Sequence, residues 1–467
     1  MEKQTHLTRT LKLPQVILFG LAYMAPMIVF GTYGVLTETT HGMVPTAYIV
    51  ALAAMLFTAY SYGKMVKAFP KSGSAYTYTR KSIHPHLGFM IGWAVLLDYI
   101  FLPMVIWLIG AVYLNTAFPS IPSWGWIIGF ILITSIINVV SVKMTSNVNI
   151  LMMVFQLLVV AIFIALCISD VVTGTGAHSL FSSSPFYNSH ASLSYILAGA
   201  SIACYSFLGF DAVTTMSEET IQPEKTLPSA IFLITFIGGI LFVLSSYVLH
   251  LVQPGYLHFK NIDSAAFEIA KQVGGNLFSA IFLAGLIIAQ FASGVAAQAS
   301  GARLLYAMGR DNVLPVKIFG YINSKTKTPI IDIVIIGIIA LFALKMDVTT
   351  STSFVNFGAF LTFIFVNIDV IFFYYIRGKQ RSGKNFLLYL LIPLIGALLD
   401  FGLFINLDKN AKILGCIWAA IGLIYLVFLT KGFKQEPPEM EFESAENAAE
   451  VPLVNIEKHF IERKRIE

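Results

Sequence analysis

Long apolar stretches recur along almost the whole chain, and each has about 20 residues, the length that an α-helix needs to cross a bilayer. We expect about twelve, at roughly 14–37, 44–68, 87–117, 124–142, 147–170, 195–217, 228–252, 275–306, 330–346, 352–376, 386–404 and 411–431. Only 12% of the 467 residues are charged, against about a quarter in soluble domains. The pattern predicts an all-α polytopic membrane protein embedded in lipid.

The basic residues predict the orientation of these spans. If the N-terminus is cytoplasmic, the cytoplasmic segments hold every Lys and Arg except Lys260, Lys271, Lys345, Lys409 and Lys412. Because basic residues concentrate in cytoplasmic loops, both termini are predicted inside. We divide the chain into an N-terminus at 1–13, a transporter domain at 14–431 and a polar cytoplasmic tail at 432–467. Part of that tail has the composition of a disordered segment.

The first apolar stretch contains a proline, in the run GLAYMAPMIVF at 20–30. Proline donates no backbone N–H and clashes with the preceding turn, so the helix is predicted to break near Ala25 and Pro26. In a bilayer the backbone groups freed by a break must be buried in protein or line a cavity. This break therefore marks a candidate binding site.

The sixth stretch is irregular in the same way, with Gly209 between aromatic residues and Asp211 two positions later. Inverted repeats of five spans place discontinuous helices at corresponding positions, with the substrate site between them. The sequence thus predicts twelve transmembrane helices arranged as five plus five, with helices 1 and 6 discontinuous and the last two outside the repeat.

Acidic residues inside spans are costly and are functional candidates by default. The predicted spans contain Asp98, Asp211, Asp332, Asp369 and Asp400, with no Lys or Arg in mid-span. We expect Asp332 and Asp400 to reach the membrane interface. For Asp369, a hydrogen bond to a nearby tyrosine and a transport role are both open. Asp98 and Asp211 are the preferred functional residues, because an uncompensated carboxylate suits a cationic substrate, a proton or both.

Motifs of soluble enzymes are absent from the sequence, including HExxH, GxSxG, the P-loop and GxGxxG. The three cysteines, Cys167, Cys204 and Cys416, lie inside predicted spans and are expected to pack rather than to bind metal. We predict no cofactor, no metal, no nucleic-acid partner and no enzymatic activity.

Three separated blocks resemble the amino acid–polyamine–organocation (APC) transporter superfamily. They read YGKMVKAFPKSGSAYTYTRKSIHPHLGFMIGW at 62–93, FLGFDAVTTMSEETIQPEKTLPSAI at 207–231 and SGARLLYAMGRDNVLP at 300–315. The resemblance implies the LeuT-like (APC) fold and transport of amino acids or amines. Within the superfamily the chain is most similar to bacterial putrescine importers, which implies inward transport of a diamine across the inner membrane. Members of the superfamily are commonly driven by protons or by an exchanged solute, and we expect proton coupling, with Na⁺ coupling and exchange left open.

The resemblance also implies a substrate site between helices 1, 3 and 6. Together with their position beside the breaks and the acids, this predicts that substrate is bound by Tyr23, Met24, Ala25, Pro26, Met27, Asp98, Tyr99, Tyr205, Ser206 and Phe207. Asp211 matches a glutamate linked to proton sensing in arginine–agmatine exchangers, and Tyr205 matches their aromatic gate. Gln156 stands where some members have a lysine in place of a sodium ion, so proton coupling is expected to run through a carboxylate.

One departure bears on the substrate. Many amino acid carriers have a glycine-rich break in span one, where bare N–H groups hold the substrate carboxylate. This chain has Pro26, Met27 and Ile28 there, which favours an amine over a carboxylate. Three alternatives stay open: a permease of the same fold for neutral or cationic amino acids, an amine-binding sensor without flux and, third, a membrane enzyme.

Overall fold

The computed structural model describes residues 9–70, 75–140, 146–187, 192–217, 219–255, 259–323, 325–326 and 328–439. The described residues form sixteen α-helices: α1 Leu13–Met24, α2 Ile28–Thr39, α3 Val44–Ala68, α4 Ala75–Ser82, α5 Pro85–Ala117, α6 Ser123–Val140, α7 Ser146–Val172, α8 Leu193–Ala203, α9 Pro223–Val252, α10 Ala265–Arg310, α11 Val316–Phe319, α12 Ile330–Ile339, α13 Val348–Val370, α14 Gly383–Phe386, α15 Ile392–Ile405 and α16 Lys409–Leu429. Short 3₁₀ or π-helical turns extend α8, α12, α13 and α14.

Ten helical segments in the described part of the chain are long and apolar enough to cross a membrane, and the bent pair α1–α2 raises this number to eleven. The prediction of an all-helical polytopic membrane protein is therefore confirmed. The predicted ninth span corresponds to α12 and its 3₁₀ extension, Ile330–Leu344, which is apolar but shorter.

The first predicted break is present. Helix α1 ends at Met24, α2 begins at Ile28, and the two are bent by 47°. Ala25 between them has a φ of 49°, a left-handed value that is uncommon for a residue with a side chain. The physical reason is Pro26, whose missing N–H and ring are incompatible with a continuous helix.

The sixth predicted span is interrupted as well. Helix α8 ends at Ala203, a 3₁₀ turn covers Cys204–Phe207, and a second one covers Ala212–Met216. Gly209 lies between these turns with a φ of 102°. Glycine adopts this conformation readily because it has no Cβ. In both irregular segments predicted from the sequence, the backbone therefore leaves the helical path.

Two helical segments were not predicted. Helix α4 lies within 64–86, which we expected to be a loop, and it buries Tyr76, Tyr78 and Thr79. Helix α10 begins ten residues before its predicted start and turns at Gly275, where φ is 63°. Both segments carry charged side chains, and a search for 20-residue apolar stretches does not detect them.

The structure corrects the expectation that Asp332 and Asp400 reach the membrane interface, since both side chains are 0% exposed. Asp400 accepts hydrogen bonds from Thr58 Oγ1 at 2.7 Å and Asn367 Nδ2 at 3.0 Å. Asp369 is also buried and accepts one from Thr79 Oγ1 at 2.8 Å. That internal hydrogen bond comes from α4 and not from a nearby tyrosine.

The Asp400 contacts tie α15 to α3 and α13, so substitution of Asp400 should destabilise the fold. Asp400→Ala leaves the buried Thr58 hydroxyl without its acceptor, at about 1–3 kcal/mol for the unsatisfied group, while Asn367 Nδ2 keeps its hydrogen bonds to Thr58 Oγ1 and the Phe363 carbonyl. We expect a lower midpoint of thermal unfolding in detergent micelles, followed by tryptophan fluorescence. Glu224→Gln, on an exposed side chain, should leave the midpoint unchanged. Equal midpoints for all three proteins would contradict the structural role of Asp400.

Candidate functional site

A cavity of about 50 Å³ lies beside both helix breaks. Its walls come from α1, α3, α4, α5, the interrupted segment after α8, and α13. The lining residues are Tyr23, Tyr62, Ala75, Val95, Asp98, Tyr99, Leu102, Leu208, Gly209, Asp211, Ala212, Thr214, Ala359, Thr362 and Phe363. A buried water needs roughly 10–15 Å³ of such space, so the cavity has room for only a few waters.

Two carboxylates line this cavity, and none of the lining residues is basic. Asp98 Oδ1 is buried and receives no hydrogen bond from any described residue. Asp211 Oδ2 accepts a hydrogen bond from the Tyr62 hydroxyl at 3.0 Å. The two acids are close enough to interact electrostatically. When both acids are ionised, the cavity has a negative potential that a cation would relieve.

The helix breaks determine how Asp211 is presented. The positive φ of Gly209 turns the chain between two 3₁₀ segments and places Asp211 at the cavity instead of on a continuous helix. The Tyr23 ring from α1 lies directly against Gly209, and a Cβ at this position would come within 2.1 Å of Tyr23 Cδ1. The first and sixth spans are thus in contact at the point where both depart from helical geometry.

Four of the residues predicted for the site line this cavity: Tyr23, Asp98, Tyr99 and Asp211. The others are placed around it. The break residues Met24, Ala25 and Met27 are nearly fully buried, and Pro26 lies between them outside the lining. Met24 packs against Gly238 of α9 and Met27 against Gly285 of α10, so these two side chains contact neighbouring helices and not the cavity.

The aromatic residues of the sixth span also lie outside the lining. Phe207 packs edge-on against Phe242, with ring centroids 5.3 Å apart. Ser206 shares a hydrogen bond of 3.0 Å with the hydroxyl of Tyr48. Tyr205 is buried and lies within electrostatic range of Asp98 without lining the cavity.

Tyr62, Thr214 and Thr362 line the cavity and were not predicted. Tyr62 contributes most to the chemistry because it binds Asp211 directly. In a chain with 20 tyrosines, nothing in the sequence distinguishes this one. Gln156, which we placed at the lysine position of some relatives, is buried on α7 and its Oε1 receives no hydrogen bond from a described residue.

Substitution of Gly209 should disrupt the site without removing any charge. Gly209→Ala introduces a Cβ at a left-handed φ, costing roughly 1–3 kcal/mol, and pushes it into the Tyr23 ring. We expect ligand binding or transport to fall at least tenfold, with the protein still inserted. Gly402→Ala is the matched control, since no atom lies within 4 Å of its added Cβ. Equal activity of the two variants would contradict the assigned contact.

Comparison with known proteins identifies the family. The family model for amino acid permeases matches residues 15–414. The chain is 43% identical to the low-affinity putrescine importer PlaP of Escherichia coli K12, over 94% of this chain and 97% of that protein. It is 26% identical to the branched-chain amino acid permease BcaP of Bacillus subtilis, over 83% and 86% of the two chains.

A third relative is the methylthioribose transporter of Bacillus subtilis, 25% identical over 92% of this chain and 95% of the relative. All these relatives are transporters, which confirms the predicted superfamily and the prediction of a transporter over an enzyme. The family match covers every helix from α2 to α15 and includes both helix breaks. The chain therefore belongs to the amino acid permease family.

Proposed function

We propose that this protein is a secondary active importer of putrescine or a related polyamine in the bacterial inner membrane. The observation that carries the proposal is the pair of carboxylates, Asp98 and Asp211, in one cavity without a basic lining residue. The similarity to a putrescine importer over nearly the full length of both chains supports the same substrate.

Putrescine is a four-carbon chain with an ammonium group at each end, and it has no carboxylate. In the proposed complex, one ammonium pairs with Asp98 and the other with Asp211. An ammonium donates up to three hydrogen bonds, and Asp98 Oδ1 has no donor among the described residues. Tyr23 and Tyr99 supply aromatic faces that attract cations. The apolar lining, such as Val95 and Leu102, suits the methylene chain between the two charges.

Transport requires this cavity to enlarge and to open towards each side in turn. The cavity of about 50 Å³ has room for only a few waters, so we infer that it enlarges when the substrate binds. We infer alternating access in a fold of twelve spans with a five-plus-five inverted repeat, in which one bundle rocks about the broken helices. Both termini are placed in the cytoplasm on the distribution of basic residues, with 1–13 and 432–467 as the cytoplasmic ends.

We assign proton coupling to Asp211. Its carboxylate is on the interrupted segment, whose geometry depends on Gly209 and Tyr23, and it accepts a hydrogen bond from the Tyr62 hydroxyl. A carboxylate on a segment that moves can exchange a proton in one conformation and bind an ammonium in the other. We assign gating to Tyr205, which lies within electrostatic range of Asp98.

The second candidate is a permease for neutral or cationic amino acids. It is favoured by the family model itself and by the similarity to a branched-chain amino acid permease. Against it, an amino acid carboxylate would have to enter a cavity that already contains two carboxylates. The backbone at Ala25 to Met27 also lacks the glycine N–H groups that would bind the carboxylate of an amino acid. An amine-binding sensor without flux is the third candidate.

Uptake of labelled putrescine separates these candidates. We expect concentrative uptake by cells that lack their own importers, abolished by an uncoupler and competed by unlabelled putrescine but not by amino acids. Block by amino acids alone would establish the permease. If the labelled putrescine associated with proteoliposomes never exceeds one equivalent per protein, the protein is a sensor.

Asp98→Asn should weaken the apparent affinity for putrescine by about tenfold or more, because a hydrogen bond to a charged group contributes roughly 1.5–3 kcal/mol. Concentration-dependent uptake measures the change. Asp332→Asn is the matched control, since Asp332 is also a buried acid on a membrane helix but does not line the cavity. An unchanged affinity in Asp98→Asn would exclude this aspartate from substrate binding.

Asp211→Asn should flatten the dependence of uptake on external pH, because asparagine cannot titrate. Initial rates across pH 5–8 in cells of matched expression provide the measurement. Tyr62→Phe, which removes one hydrogen bond but keeps the carboxylate, should shift the profile without flattening it. A parallel loss of rate at every pH in Asp211→Asn would assign Asp211 to substrate binding or gating alone.

A further inference from the structure

A second concave site lies between α3 and α9, at the ends of these helices that the basic residues mark as cytoplasmic. It is a groove of about 440 Å³ that shares no residue with the central cavity. Its walls include Tyr60, Gly63, Lys64, Lys67, Pro228 and Phe232. We call it the α3–α9 groove. The transport function proposed above does not involve this groove.

The charge of the groove is positive. Lys64 is half-buried and Lys67, about one turn further along α3, is exposed. Lys384, at the start of α14, is close enough to Lys64 to interact with it electrostatically. None of the residues lining the groove is acidic. In the described part of the chain, the ion pairs are Arg80–Glu436 and Arg310–Asp311, so these lysines are left without a carboxylate partner.

The position of Lys64 is built into the fold. Its Nζ lies 5.0 Å from the ring centroid of Tyr60 and 5.2 Å from that of Tyr389. Both rings are held in place, because the Tyr60 hydroxyl donates to the Leu388 carbonyl at 2.9 Å and Tyr389 stacks on Tyr374. Aromatic faces attract an ammonium without neutralising its charge. Lys64 is thus oriented at the groove and still available to an anion.

The groove also has an apolar extension along the outer face of α9. Phe232, which lines it, is 43% exposed, and Phe236, one turn further into the membrane, is 44% exposed. Their rings are parallel, with centroids 6.5 Å apart. A surface that continues from lysines into exposed aromatic rings matches a ligand with an anionic head and an apolar chain. A small soluble anion would use only the lysines.

We propose that the α3–α9 groove is a binding site for an anionic phospholipid of the cytoplasmic leaflet. Lys64 and Lys67 contact the phosphate, and one acyl chain lies along Phe232 and Phe236. Basic pockets between membrane helices on the cytoplasmic side bind anionic headgroups. The site joins α3, which carries Tyr62 at the central cavity, to α9, so an occupied groove would couple the lipid to the packing of these two helices.

The test is lipid retention by the full-length protein in detergent, measured by native mass spectrometry. Dioleoyl phosphatidylglycerol and dioleoyl phosphatidylcholine have the same chains, so the difference in bound lipid reports the headgroup alone. Each lysine near an anionic headgroup contributes about a fivefold preference. We therefore expect the preference for phosphatidylglycerol over phosphatidylcholine to fall about 25-fold in the double variant Lys64→Gln/Lys67→Gln. The variant Lys64→Arg/Lys67→Arg should keep the wild-type preference.

The control is Lys271→Gln/Lys409→Gln, which removes two exposed lysines from the predicted external side and should retain the wild-type preference. Equal retention of the two lipids by the wild type would overturn the proposal. Equal retention is also the result expected if acidic residues of the chain's own tail occupied the groove instead of a lipid. An unchanged preference in Lys64→Gln/Lys67→Gln would also overturn the proposal. Displacement of phosphatidylglycerol by millimolar inorganic phosphate would show a free-anion site and would equally reject the lipid.

Discussion

A carboxylate without a cationic partner is unfavourable inside a membrane protein, and this constraint governs the central part of the structure. Asp98 and Asp211 share a small cavity in which no lining residue is basic. Each negative charge raises the energy of the other in a medium of low dielectric constant. Such a site is stabilised by protons or by a bound cation, and a diamine supplies two positive charges at once. The substrate proposal and the proton-coupling proposal are two consequences of the same electrostatic arrangement.

The backbone breaks make this arrangement possible. Pro26 ends α1 just after Tyr23, and the Tyr23 ring fits against Gly209 because that residue has no side chain. Gly209 in turn allows the chain to turn and present Asp211. Within a bilayer, non-helical backbone is tolerated only where protein or a cavity surrounds it. The two breaks therefore lie together beside the cavity, and Asp98 reaches it from the continuous helix α5.

Much of this could be predicted from the sequence, because its signals are local. A proline in an apolar stretch and an acid beside a glycine identify both breaks, and mid-span acids without bases identify Asp98 and Asp211. What could not be predicted depends on packing between distant segments. Tyr62 binds Asp211 although the two residues are 149 positions apart, and Met24 to Met27 lie at the helix break without lining the cavity.

The other buried acids show the same limit. Asp400 lies near the end of a predicted span, where an aspartate can reach water, but Thr58 and Asn367 approach it from other helices and hold it inside the protein. Helix α4 was not predicted, because its charged side chains prevent it from reading as an apolar stretch although Tyr76, Tyr78 and Thr79 on its other face are buried. One sequence contains no direct record of such contacts.

The central claim is that two carboxylates each bind one ammonium of the same substrate. Competition against labelled putrescine by butylamine tests it most directly, since butylamine has the same four carbons and a single ammonium. We expect butylamine to compete at least about tenfold more weakly than putrescine, equivalent to roughly 1.4 kcal/mol, and the difference between the two amines to narrow in Asp98→Asn. Equal competition by the two amines in the wild-type protein would contradict the two-carboxylate site.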